Sequence, residues 1–171
     1  MNIQRETVLL PANRAFAAFS LGCAFVLNLF PWGPLPVVPD FVALVLVFWS
    51  LREPQMVGIG IAFALGLLMD IHSAALLGEH ALAYSLLSYG AISLHRRLPW
   101  FSIRGRMLHL LPLFLFAQLT TLIIRLLLGA EFPGWFYFVP SLAATLLWPP
   151  TEWLLLAPQR RPAERDDTRP L

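Results

Sequence analysis

Long apolar runs separated by short clusters of polar residues, proline and glycine set the pattern of this chain. A membrane-spanning helix needs about 20 mostly apolar residues. Six runs come near that length, at 15–30, 37–51, 54–69, 74–94, 107–128 and 136–156. Their separators are short: Pro31-Trp32-Gly33-Pro34-Leu35-Pro36, Arg52-Glu53-Pro54, Asp70-Ile71-His72-Ser73, the arginine-rich stretch from His95 to Arg106, and Glu131-Phe132-Pro133-Gly134-Trp135. The pattern predicts an all-α fold, a polytopic transmembrane bundle of about six helices forming one domain over 1–157. The second and third runs are short for a span, so five spans or a re-entrant segment is the other arrangement the pattern allows. Trp148-Pro149-Pro150 interrupts the sixth run, where paired prolines break or kink a helix. Residues 158–171, rich in Arg, Pro and Asp, read as a disordered cytoplasmic tail.

The third and fourth runs form a hairpin around which the rest is organised. Pro54 suits a first helical turn. Gly58, Ala62 and Gly66 follow at four-residue steps, leaving a flat stripe on which another helix can approach closely. That helix belongs either to this bundle or to another protein. Asp70 comes one step further along. Gly78, Glu79 and His80 open the fourth helix, and Tyr84, Ser85, Ser88 and Tyr89 lie along it. The hairpin's polar groups thus gather at one end.

Composition confirms lipid as the solvent. Hydrophobic residues make up 58% and charged residues 13% of 171, with a mean hydropathy of +0.68. A soluble domain of that length has too little interior to hide so much apolar surface. Every basic side chain is arginine, and the arginines sit in separators and tails, so the net charge of +2 does not describe a nucleic-acid surface. Arg5 and Arg14 precede the first run, Arg52 follows the second, and Arg96, Arg97, Arg104 and Arg106 follow the fourth. Arg160, Arg161, Arg165 and Arg169 follow the sixth, while the alternate separators carry no arginine. The positive-inside rule then puts both termini of a multi-pass membrane protein in the cytoplasm.

Candidate chemistry is sparse. The polar cluster at the outer end comprises Asp40, Asp70, His72, Glu79 and His80. Ionisable groups at that depth face protein or water, so it is either a substrate or proton site or a set of helix caps; Asp70 capping the fourth helix is the simpler reading. Arg125 is expected to snorkel outward, with pairing to Glu131 or Asp70 as the alternative. Glu152 is expected at the interface. The lone Cys23 excludes a disulfide framework. It lies within an apolar run, which argues against lipid attachment, and no signal-peptide cleavage site follows. The histidines lack metal-ligand spacing, Ser73 beside His72 lacks a third partner, and no phosphate loop or nucleophile elbow occurs. Neither catalysis, cofactor nor metal is expected.

Several stretches in order resemble the rod shape-determining protein MreD family. They are Pro39-Asp40 with Leu44 and Trp49, Arg52-Glu53-Pro54, Gly58-Ile59-Gly60, Gly66-Leu67-Leu68-Met69-Asp70 and Leu77-Gly78-Glu79-His80-Ala81-Leu82. Pro133-Gly134-Trp135-Phe136-Tyr137-Phe138 and Leu147-Trp148-Pro149-Pro150 extend the likeness, which covers residues 13–161. Ala74 or Ala75 stands where the family often has glycine. The resemblance implies a non-enzymatic subunit of the cell-elongation complex of the bacterial inner membrane. Its implied partners are MreC, the filament protein MreB, the polymerase RodA and a class B penicillin-binding transpeptidase. It also implies a fold like the substrate-binding subunit of energy-coupling-factor transporters. Two roles follow. A scaffold would bind MreC through the stripe of Gly58, Ala62 and Gly66 with Asp70 and Gly78, its edge of Arg96, Arg97, Arg104 and Arg106 meeting anionic lipid or cytoplasmic partners. A small-molecule or lipid-precursor binding subunit would need a polar cavity, for which Asp70, Glu79 and His80 offer the lining.

Overall fold

The computed structural model describes residues 13–33 and 37–159. The expected tail beyond position 159, with its four arginines, Arg5, and the Pro34-Leu35-Pro36 part of the first separator lie outside the described residues. Among the described residues all regular structure is helical: α1 (Arg14–Leu29), α2 (Phe41–Arg52), α3 (Ile59–His72), α4 (Glu79–Leu94), α5 (Ile103–Leu127), α6 (Val139–Leu146) and α7 (Trp148–Leu156), with short 3₁₀ turns at Leu98–Trp100, Trp135–Phe138 and Ala157–Gln159. Only α5 is long and apolar enough on its own to cross a membrane, while α1, α2 and α3 are shorter apolar helices.

Local chemistry explains where the helices start. Asn13, Asp40 and Ser102 each accept a backbone N–H of the first turn and so cap α1, α2 and α5. Ser102 lets α5 begin four residues before the expected 107, taking Arg104 and Arg106 into the helix. The third helix begins at Ile59 and not at Pro54. Pro54 instead lies in a turn whose Met56 and Val57 N–H groups both bond to Glu53 O, and extended Gly58 then opens the helix. The fourth begins at Glu79 and not at 74, because Ala74 (φ 49°) and Gly78 (φ 107°) both leave the right-handed basin. The sixth run breaks at Leu147, so that Pro149 and Pro150 fall in the first turn of α7, where a missing N–H is harmless.

The bundle is assembled around α2. Every residue from Val42 to Ser50 is buried, as expected of a helix apolar on all sides. α1, α4 and α7 pack around it. Buried hydroxyls lace the helices together: Trp49 Nε1–H donates to Ser20 Oγ (2.8 Å), and Ser50 and Ser88 share a hydrogen bond (2.9 Å). The outer surface is apolar, with Phe19, Ile71, Leu108, Leu127, Leu146 and Trp153 all more than 60% exposed. A surface of that kind suits lipid and not water.

The small-residue stripe is spent inside the hairpin. Ala62 and Gly66 are buried. A Cβ on Gly66 would stand 2.5 Å from Ala81 N and 2.6 Å from His80 O, so the backbones of α3 and α4 touch there. The face expected as a possible docking surface is therefore occupied by α4.

Candidate functional site

Three carboxylates organise the end of the bundle where α3 meets α4. Asp70, in the last turn of α3, has a fully buried side chain. It accepts the N–H groups of Gly78 (2.7 Å), His80 (2.7 Å) and Ala81 (3.4 Å), together with His80 Nδ1 (2.9 Å). One carboxylate on α3 thus satisfies the free N–H groups at the start of α4, where Gly78 has no side chain to do so. Serving as acceptor fixes the proton on His80 Nδ1 and leaves Nε2 as that ring's remaining polar atom.

Asp40 is the second centre. Besides capping α2 through Ala43 N (3.0 Å), it accepts Asn28 Nδ2 (2.8 Å) from α1 and the Tyr84 hydroxyl (2.5 Å) from α4. Asn28 Oδ1 in turn accepts Phe41 N–H (3.0 Å). The third centre is an ion pair: Arg125 Nε donates to the buried Glu79 at 2.5 Å. The expectation that Arg125 snorkels outward is thereby corrected. A buried carboxylate within reach holds the guanidinium, and its partner is neither Glu131 nor Asp70.

Between these centres lies a cleft of about 250 Å³ walled by α2, α4, α5 and α6. Asp40, His80, Tyr84, Gln118, Thr121 and Arg125 supply polar groups, and Tyr137 and Ser141 close the α6 side. Most are already engaged. Gln118 donates to Tyr137 O and accepts from Ser141, and Thr121 shares a hydrogen bond with the Tyr137 hydroxyl (2.7 Å). Among the described residues, the terminal guanidinium nitrogens of Arg125 and Nε2 of His80 have no partner; the guanidinium offers donors and the Nε2 lone pair an acceptor, so the cleft is suited to a group that brings both, such as a peptide unit.

The expected outer cluster is only partly assembled. Asp40, Asp70, Glu79 and His80 come together, but His72 is exposed, on the side of the last turn of α3 away from the buried Met69 and Asp70. Of the proposed cavity lining, His80 alone faces the cleft; Asp70 and Glu79 stand behind it as its supports. Sequence reasoning passed over Asn28, Gln118, Thr121, Tyr137 and Ser141. A signal for two of them existed, since Gln118, Thr121 and Arg125 recur at helical spacing along one face of an otherwise apolar α5.

At the opposite end Arg96, Arg97 and Arg104 are exposed. Arg106 differs: it pairs with Glu152, which also accepts Trp148 Nε1–H (3.0 Å). Glu152 is thus the anchor of Arg106 and more than an interfacial carboxylate.

Residues 12–157 match the family described as rod shape-determining protein MreD. The rod shape-determining protein MreD of Haemophilus influenzae is 35% identical over 136 residues, covering 78% of this chain and 82% of that protein. No solved structure matches. A family match across most of the chain, joined to an apolar helical bundle, places this protein in the MreD family of rod shape-determining proteins.

Proposed function

We propose that the protein is a non-enzymatic scaffold of the cell-elongation complex, six-spanning with both termini in the cytoplasm, that receives the juxtamembrane segment of MreC in its outer cleft. The observation that carries this reading is the state of the polar groups around the cleft. Asp40, Gln118, Thr121, Tyr84 and Tyr137 hold helices to one another, and the groups still free, on Arg125 and His80, are those that a peptide backbone entering from the outer side would satisfy. A pre-formed pocket with a few convergent polar groups is the usual shape of a recognition site. MreB, RodA and the class B transpeptidase then join through MreC or through the arginine edge, where each exposed arginine also attracts anionic lipid.

A photoreactive amino acid placed in living cells tests this. Crosslinks to MreC are expected from positions 80, 121 and 137, and not from the outward-facing positions 108 and 116. A cleft that yields no protein adduct, while the variants still support rod shape, would sink the reading. The cleft itself favours a second reading, a binding subunit similar to the substrate-binding component of energy-coupling-factor transporters. In that case a small molecule would survive purification, and Arg125→Gln would release it.

A further inference from the structure

Outside the outer cleft, two grooves on the bundle's flanks stand out by size, both larger than a third groove, of about 420 Å³, between α4 and α5. One, between α1 and α7, has walls built from residues such as Phe19, Leu27, Leu44 and Leu154 and carries no cation among the described residues, so nothing identifies what covers it. The other, of about 580 Å³, lies between α1 and α3 and has a different mouth. Its walls are apolar, from Leu21 and Phe25 on one side to Ile61, Leu65 and Leu68 on the other, but Arg14 and Gln55 stand at its entrance. Arg14 is exposed and, among the described residues, pairs with no carboxylate.

We propose that this α1/α3 groove is a binding site for one anionic phospholipid of the cytoplasmic leaflet, its phosphate on Arg14 and one acyl chain between the helices. Three observations fit that occupant. The charge is complementary, since a guanidinium offers a phosphate two parallel N–H donors that an ammonium cannot reproduce. The depth is right as well. From Arg14 to Phe25 a helix rises about 16 Å, roughly half of a hydrocarbon core about 30 Å thick, so the groove accommodates the tail of one leaflet's lipid. The mouth also shares its end of the bundle with Arg52 and the exposed Arg96, Arg97 and Arg104, the end that the charge asymmetry assigns to the cytoplasm. An acyl chain gains little by leaving lipid for a groove of similar polarity, so headgroup recognition decides the occupant. The site depends on the bundle standing in the membrane and is independent of how MreC binds.

The full chain in nanodiscs of equal phosphatidylglycerol and phosphatidylethanolamine, ejected and weighed by native mass spectrometry, tests the site. The wild type is expected to retain one phosphatidylglycerol about fivefold over phosphatidylethanolamine, the equivalent of about 1 kcal/mol for one arginine at the surface. Arg14→Gln should abolish that preference, and Arg97→Gln should leave it intact. No atom lies within 4 Å of a Cβ built on Gly22, so Gly22→Phe fills the groove without disturbing the helices and should reduce retention of both lipids at an unchanged melting temperature. Gly22→Leu replaces it if phenylalanine lowers that temperature. Equal retention of the two lipids by the wild type, an equal loss in Arg97→Gln, or undiminished retention in the groove-filled variant would overturn the proposal. So would a photocrosslinker at position 18 or 61 that captures another protein's helix in place of lipid. Labelling of Gln55→Cys by an impermeant maleimide in a Cys23→Ser background reads the orientation separately. A reversed bundle would show there without altering the headgroup ratio, and would overturn the assignment to the cytoplasmic leaflet.

Discussion

The two ends of this bundle handle charge in different ways. At the end where α3 meets α4, carboxylates are buried and organise backbone and helices: Asp70 holds the start of α4, and Asp40 ties α1, α2 and α4 together. At the arginine end, charge stays near the surface, and its one internal ion pair among the described residues, Arg106 with Glu152, is partly open to solvent. A buried polar or charged group whose partner is removed keeps its own desolvation penalty with nothing to offset it, whereas an exposed pair exchanges partners with water. The carboxylate end should therefore be the brittle one.

Substitutions measured by thermal unfolding in detergent can break or sharpen that contrast. Asp70→Ala is expected to have the largest effect, about 3–5 kcal/mol, because it orphans several N–H donors and His80 at once; a loss below that of Glu152→Gln would refute the contrast. Gly66→Leu comes next, at about 3 kcal/mol or more, since the new side chain meets backbone atoms of Ala81 and His80 that have no room to yield. A protein that tolerates leucine there would show that α3 and α4 do not touch. Tyr84→Phe should lose about 1 kcal/mol by removing a hydrogen bond to Asp40. Ala74→Gly should gain about 1 kcal/mol, because alanine at φ 49° bears a strain that glycine does not. Glu152→Gln should cost less than about 1 kcal/mol and lose most of that in high salt.

The separators and apolar runs were enough to read an all-helical fold and the approximate position of each helix. Helix starts were less legible, because capping depends on which side chain reaches the free N–H groups. Asp70 was read as the cap of the fourth helix, but it lies eight residues before Gly78 and on another helix, so it did not fix the start, which was placed at 74 and falls at Glu79. The same limit hid the site. Asp40 and Asp70 were visible as rare ionisable groups in an apolar chain, but the Arg125–Glu79 pair joins residues 46 apart, a distance that periodicity does not bridge. Of Ala74 and Ala75, noted together as the departure from the family's glycine, Ala74 sits in the conformation that glycine serves. That was legible through the resemblance and not through any pattern in the chain itself.

The bond between Asp40 and Tyr84 spans 44 residues, which gives it a place in time as well as in space. While the ribosome is still translating the stretch before residue 84, α1 and α2 can be in the bilayer with only Asn28 and the helix's own amides to satisfy that carboxylate. Final seating of the first two helices must wait for the fourth to emerge, so a truncated nascent chain should remain open to membrane chaperones until the tyrosine arrives.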